Sequence, residues 1–359
     1  LCPYCDFVVV AGAATRGPRN RVSALHAALL AELELRAQDV EDCFGPRRPR
    51  LTSVYLGGGT PSLMSASQVA ALLEAVDGRL GIATDAEITL EANPGPDEIG
   101  DLAGFRAAGV DRLSIGAQSL QVAELRRLGR RHRPADVAAS VRAARAAGFD
   151  SLSLDLLTDV PGQTTASWRA TLESALALEP DHLSAYTLTL DDPDAEGLTG
   201  PDGDHLPLAK GARAWRERAL TEQSDERAAE LELLTDELAE AAGLRRYEVA
   251  NLARPGHESR HNLLYWRRRP YLALGPGAHA SDGALRRTWN AARLDGYIEA
   301  LQRDQLPPGG SEDIDEPTAL AETAMLGLRL REGIAQPLAD EPMLAPALQW
   351  ARGVGLLET

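Results

Sequence analysis

Five short runs rich in aliphatic and β-branched residues punctuate the first half of the chain: SVYLG (53–57), EITLEA (87–92), RLSIGA (112–117), SLSLDLL (151–157) and HLSAYTLTL (182–190). A weaker sixth, RRYEVAN, stands at 245–251. Between them lie stretches with helical periodicity, at 21–42, 65–79, 97–108, 134–147, 166–178 and 226–242. The segment ALHAALLAELEL shows the pattern well, with leucine and alanine recurring at three- and four-residue spacing. Asp97, Ser167 and Asp225 are the expected N-caps, and Gly109, Gly148 and Gly243 the expected residues just past helix C-termini. Strands separated by helices need crossover connections, which are right-handed and make the sheet parallel. Five to six such units predict an α/β fold of the partial (β/α)6 barrel kind rather than a full eight-stranded barrel. A doubly wound open sheet satisfies the same pattern. In both architectures ligands sit at the C-terminal ends of the strands.

From about residue 255 the character changes. Tryptophan, arginine and proline cluster in RHNLLYWRRRPYLALGPGAHA, and GYIEALQRDQLPPGGSEDIDEP reads as a linker. Helices are expected at 317–334 and 343–354. A chain of 359 residues also exceeds what one core usually fills. The expected division is a barrel over 1–250 and a C-terminal region over 251–359 with a small, mainly helical module. The formal charge of −16 works against nucleic-acid partners and against broad attraction to anionic membranes. No apolar run approaches the roughly 20 residues of a membrane-spanning helix. The opening LCPYCDF has neither the basic segment nor the apolar run of a secretion signal, so a cytoplasmic location is expected. An opening Leu1 in place of methionine suggests that the natural protein begins earlier.

The strand ends carry the chemistry. SVYLG runs into GGGTPS, and glycines at a strand terminus let backbone N–H groups approach a ligand with no Cβ in the way. The second strand ends in Glu91-Ala-Asn93, the third in Gln118, and the fourth carries Asp155. Four successive strands ending in polar residues suggest a ligand with many hydrogen-bonding groups. Three cysteines, Cys2, Cys5 and Cys43, cannot form a disulfide framework. The C-x-x-C formed by Cys2 and Cys5 suits zinc, a redox dithiol or an iron–sulfur cluster, whereas Cys43 is expected to be a packing residue after the first helix.

Taken in order, CPYCDF, GGGTPS, EANP, LSIGAQS, LGRRH and the strand bearing Asp155 resemble the radical S-adenosylmethionine (SAM) enzymes, in the branch related to oxygen-independent coproporphyrinogen III oxidase. Members hold a [4Fe-4S] cluster on C-x3-C-x2-C. Cys2 and Cys5 match the second and third cysteines, and the first falls four positions before Cys2, beyond the start of the chain. The resemblance implies that Gly58, Gly59 and Thr60 line the SAM amino group. It also implies that Glu91, Gln118, Arg130 and Asp155 contact SAM's polar groups, Arg130 at the carboxylate and Asp155 at the ribose. On residue type alone Arg130, inside RRLGRRHR, reads as part of a solvated helix face.

Within that branch the decarboxylating oxidase of porphyrin biosynthesis carries a fourth cysteine, where this chain has Phe7. It also lacks an HNxxYW motif, present here as HNLLYW at 261–266 between YEVANLARPG and YLALGPGAHA. The stretch is similar to the HemW-type heme chaperones. That resemblance implies heme binding and delivery to heme-acceptor proteins such as respiratory enzymes, by a soluble carrier able to touch a membrane enzyme peripherally. Oxidative decarboxylation of coproporphyrinogen III is the alternative, so the residues leave open whether the chain is an enzyme. A barrel that keeps the fold without cluster chemistry is a third reading. His261 is the leading heme-ligand candidate, with Tyr265 and Trp266 packing against the porphyrin. The competing reading has these three residues knit the C-terminal region to the barrel mouth. His279 is a second ligand candidate, and Arg267 to Arg269 suit either heme propionates or a solvated run. Two departures stand out. Thr158-Asp159 replaces the Tyr-Gly of relatives, and region 191–225 is unusually long and polar.

Overall fold

A computed structural model describes residues 3–5, 8, 20–45 and 48–357, with the backbone alone at Cys43. Cys2, Phe7 and the side chain of Cys43 therefore lie outside the described residues.

Helix α1 (Val22–Phe44) precedes a seven-stranded sheet. Its strands are β1 (Leu51–Leu56), β2 (Ile82–Ala92), β3 (Arg112–Gln118), β4 (Ser151–Thr158), β5 (His182–Thr187), β6 (Arg245–Glu248) and β7 (Asn251–Ala253), in the order β1-β2-β3-β4-β5-β7-β6. β1 to β5 are parallel. The crossovers run through α2 (Ala66–Leu80), α3 (Leu102–Ala107), α4 (Val122–Arg127), α5 (Pro134–Ala146) and α6 (Thr165–Leu176); α7 (Ala212–Leu220) and α8 (Asp225–Ala241) follow β5. The result is the curled, incomplete α/β barrel that the strand–helix repeat predicts.

The sixth expected strand differs. RRYEVAN splits into β6 and β7, antiparallel to each other, and β7 also runs antiparallel to β5. The cause is local: Glu248 is buried and its Oε1 accepts hydrogen bonds from Ala250 N (2.9 Å) and Asn251 Nδ2 (2.5 Å), folding the chain back on itself. The expected N-caps are displaced as well. Asp101, Thr164 and Ser224 cap α3, α6 and α8 in place of Asp97, Ser167 and Asp225. Ser167 is instead the third helical residue of a capping box, its backbone N–H bonded to Thr164 Oγ1 at 3.1 Å. Gly109, Gly148 and Gly243 do hold positive φ past the helix ends.

The parallel strands alternate strictly. Leu90, Leu113, Ile115, Leu152, Leu154 and Leu183 face outward into a continuous core with Val69 and Leu72 of α2, Phe105 of α3, Val141 of α5 and Trp168 of α6. Burying each such side chain contributes about 1.5–3 kcal/mol. Their neighbours, Ser53, Tyr55, Glu91, Ser114, Ser153, Asp155 and His182, face inward and hydrogen-bond across strands or to groups closing the barrel. The period of two thus builds an apolar shell around a polar lumen.

After β7 come α9 (Arg260–Trp266), β8 (His279–Ser281), β9 (Arg286–Asn290), α10 (Leu294–Leu301), β10 (Gly309–Asp313), α11 (Glu316–Gly327), α12 (Gln336–Ala339) and α13 (Ala345–Gly353). The C-terminal region is thus not helical alone, because β10-β9-β8 form an antiparallel sheet. The stretch expected as a linker supplies α10 and β10. Gly309 and Gly310 permit that strand, since a Cβ at Gly310 would collide with the Trp289 ring. The region is tied to α1 through Glu32. This fully buried carboxylate accepts from Arg36 Nε (2.6 Å), Asn290 Nδ2 (2.7 Å), Tyr297 Oη (2.6 Å) and Gly275 N (2.8 Å). Removing its partners would leave a buried charge uncompensated, a far larger loss than any surface ion pair.

Candidate functional site

The C-terminal ends of β1 to β4 bring together most of the residues singled out from the sequence. Gly57, Gly58 and Gly59 form an exposed turn after β1, and Gly58 holds φ +104°. Its backbone N–H donates to Glu91 Oε2 (3.0 Å), while Tyr55 Oη donates to Glu91 Oε1 (2.7 Å). Burial pushes the Glu91 carboxyl up to about 7, with the Tyr55 hydrogen bond opposing. Thr60 Oγ1 accepts from Asn93 Nδ2 (3.1 Å), and Arg130 donates both to Asn93 Oδ1 and to the Gly116 carbonyl at 2.7 Å. Arg130 is half-buried at this mouth, not on a solvated helix face. A Cβ at Gly116 would come within 3.0 Å of Gln118 Nε2 and 3.2 Å of Arg130 Nη2. Glycine there leaves the gap in which these side chains converge. Gln118 itself ends β3 at φ +63°.

Asp155 lies deeper, in the lumen, where it accepts from Ser114 Oγ (3.0 Å) and Ser153 Oγ (3.1 Å). Burial raises its pKa, and the serine hydrogen bonds and the nearby Arg112 charge only partly offset that. The N-terminal segment reaches the same end of the barrel. Tyr4 packs with Leu128, Leu157, Val160 and Leu188, its ring 6.5 Å from that of Trp215, and Arg216 Nε donates to the Pro3 carbonyl at 3.1 Å. This packing sets the half-buried Cys5 beside the mouth.

The donor set fits an amino-acid zwitterion carrying further hydroxyls: a carboxylate for an ammonium, a guanidinium for a carboxylate, and an amide and a second carboxylate behind them. Of the cluster motif, Cys5 is present and Cys2 is outside the described residues. The Thr158-Asp159 departure has a structural role. Asp159 adopts φ +54°, a conformation glycine reaches freely, and Arg227 Nε donates to its Oδ1 at 2.8 Å. The pair ties the start of α8 to the end of β4.

HNLLYW closes the other end. α9 packs against β1 and the early parts of the strands, and Glu87 Oε2 and Oε1 accept the Arg260 and His261 backbone N–H groups, both at 3.1 Å. His261 Nδ1 is 2.9 Å from Ser53 Oγ, Nε2 is 2.8 Å from Tyr265 Oη, and the ring stacks on Tyr55 at 4.9 Å. Burial pushes the imidazole down to about 4, so it is neutral. The Trp266 ring lies under the Arg329 guanidinium at 4.2 Å. These residues knit the C-terminal region to the barrel, but at the end opposite the mouth. Arg267 and Arg269 are exposed, as the solvated-run reading expects, with Arg267 in a surface pair to Glu332 (3.1 Å), whereas Arg268 is drawn inward to Glu322 (3.3 Å). His279 lies in β8, apart from α9, with Nε2 2.8 Å from Asp204.

Several lumen residues escaped sequence reasoning. Arg112 is 3% exposed, and its Nε has no hydrogen-bond partner among the described residues. His182 bridges Ser153 Oγ and Tyr247 Oη at 2.9 Å each. The signal was available: in EITLEA, RLSIGA and SLSLD every second residue is polar or glycine, which marks a strand face that does not enter the apolar core.

The radical SAM superfamily profile matches residues 1–175. A Mycobacterium tuberculosis (strain ATCC 25618 / H37Rv) protein named heme chaperone HemW is 36% identical over 338 residues, covering 94% of this chain and 80% of that protein. Heme chaperone HemW of Escherichia coli (strain K12) is 35% identical over 305 residues, covering 83% and 72%. Among solved structures, coproporphyrinogen III oxidase (HemN) from Escherichia coli, a radical SAM enzyme, superposes with a TM-score of 0.77 at 20% identity, over 99% of this chain and 80% of that one, a likeness of fold. By its sequence similarity the chain belongs to the HemW family of the radical SAM superfamily.

Proposed function

We propose that the protein is a heme chaperone, which binds heme and passes it to heme-acceptor proteins such as respiratory enzymes. The observation that carries this reading is the 36% identity over 94% of the chain to a protein named heme chaperone HemW. On this reading residues 1–250 form the cofactor-binding barrel and 251–359 the region that adapts it to heme. Cys2 and Cys5 would supply two of the thiolates for a [4Fe-4S] cluster. At the mouth Glu91 would accept from the SAM ammonium, Arg130 would pair with its carboxylate, Gln118 and Asp155 would take its remaining polar groups, and Gly58, Gly59 and Thr60 would line the amino end. The cluster and SAM, when bound, supply reductive cleavage chemistry; here they support heme loading or release rather than decarboxylation.

On this reading His261, Tyr265 and Trp266 are candidates for heme contact, and heme ligation by His261 would have to replace one of the bonds its ring nitrogens make to Ser53 Oγ and Tyr265 Oη. No helix among the described residues is long and apolar enough to cross a membrane. A cytoplasmic carrier with at most peripheral membrane contact is the corresponding placement. Titration of the protein, with its complete N-terminus, with hemin tests the reading: a saturable Soret band is expected, and absence of binding contradicts it.

A further inference from the structure

A heme carrier must offer the iron a lone pair, and of the seven histidines three are committed inside the fold. His132 is buried against the Ala117 carbonyl, and His182 and His261 are bonded through both ring nitrogens. His26 and His257 each engage one ring nitrogen, with Gln68 O (2.9 Å) and Ser151 Oγ (3.3 Å), and neither has a carboxylate partner among the described residues. The remaining two share one carboxylate. His205 Nδ1 is 2.9 Å from Asp204 Oδ1, and His279 Nε2 is 2.8 Å from Asp204 Oδ2. Desolvation opposes ionisation of Asp204, but the His205 hydrogen bond and the two imidazoles outweigh it and hold the carboxyl below its ordinary range.

We infer that His205 is the axial heme ligand of the folded protein, an assignment that rests on the heme-chaperone reading. An Nδ1–H donated to a carboxylate fixes the tautomer and leaves the Nε2 lone pair outward; such a pairing is the usual support of a metal-bound histidine and raises its basicity. His205 Nε2 has no hydrogen-bond partner among the described residues, and the side chain is 29% exposed. The loop carrying it is held firmly. His205 N donates to Leu198 O (3.2 Å), Ala292 N to Gly203 O (2.8 Å) and Trp289 Nε1 to Asp202 O (3.1 Å). Trp289 stacks on His279 at 6.2 Å and 25°, placing a flat aromatic surface beside the cluster. The loop follows β5 at the mouth side of the barrel, and a Cβ at Gly277 would press on both Val8 and the Asp204 carbonyl, so the cluster adjoins the segment just past Cys5. Among the described residues no group of three or more His, Cys, Asp or Glu side chains is arranged to hold a bare metal ion. Heme needs only one protein ligand, because the porphyrin fills four positions.

Hemin titrations of the full protein and its variants test the assignment. His205→Ala is expected to weaken hemin at least roughly tenfold and to shift the Soret band, and imidazole added to His205→Gly to restore the original spectrum, which also shows that the variant is folded. Asp204→Asn is expected to keep the ligand, weaken binding roughly tenfold and raise the heme reduction potential, since the imidazole becomes less electron-rich. Unchanged affinity and spectrum in His205→Ala would overturn the assignment while leaving heme binding intact. Failure of the wild-type protein itself to bind hemin would overturn the chaperone reading instead.

Discussion

The two ends of the barrel are built from the same alternating strands and do opposite things. At the mouth, glycines at 57–59 and 116 hold space open, and Glu91, Arg130, Asn93 and Gln118 converge on it. At the far end, α9 fills the space with His261 and Tyr265 and satisfies its own first amides with Glu87. Burial acts on both, but with opposite consequences for charge. It raises the carboxyl of Glu91 to about 7 and lowers the imidazole of His261 to about 4. A lumen lined by inward polar residues is thus neither a core nor a site by itself; what covers each end decides which it becomes.

Breaking the closed end should produce the largest effect on stability. Glu87→Ala removes the acceptor of two part-buried amides at the start of α9, and a loss of about 1–3 kcal/mol is expected in urea unfolding. A change under about 0.5 kcal/mol would mean that α9 is not held there. The mouth should behave in the reverse manner. Arg130→Ala is expected to weaken SAM at least roughly tenfold by calorimetry, from loss of a charge-assisted pair, while stability falls by only about 1 kcal/mol.

The pH dependence sharpens the contrast. The His261 pKa is depressed, so its contribution to stability is present above the ordinary histidine value of 6.5 and is lost as pH falls toward about 4. The Glu91 pKa is raised, so its contribution is present below 4.5 and is lost as pH rises through about 7. His261→Gln should flatten the acid-side slope of stability and Glu91→Gln the neutral-side slope; a swap of those outcomes would place the burial at the wrong ends. The smallest effect is expected for Tyr265→Phe, which removes one hydroxyl from His261 Nε2, about 1 kcal/mol in the same unfolding assay.

The barrel was legible in the sequence because strand–helix alternation and period-two strands are local signals. The mouth was legible because GGGTPS and EANP stand at strand ends. What stayed hidden depends on contacts distant in sequence. Nothing local to HNLLYW says that His261 will meet Ser53 across 208 positions, or that α9 closes the end away from the mouth. The Glu32 knot, reaching Asn290 and Tyr297, and the small sheet built partly from an apparent linker are hidden for the same reason. The cap residues were missed by one to four positions, because an N-cap is chosen by backbone conformation as much as by residue type.

The central claim is that this barrel carries heme and does not decarboxylate a porphyrinogen. The direct measurement loads the reconstituted protein with hemin under anaerobic conditions and mixes it with a heme-free respiratory acceptor, alongside an assay with coproporphyrinogen III and SAM. Heme should move to the acceptor and coproporphyrinogen III should be recovered unchanged. Turnover to protoporphyrinogen IX without heme transfer would contradict the account.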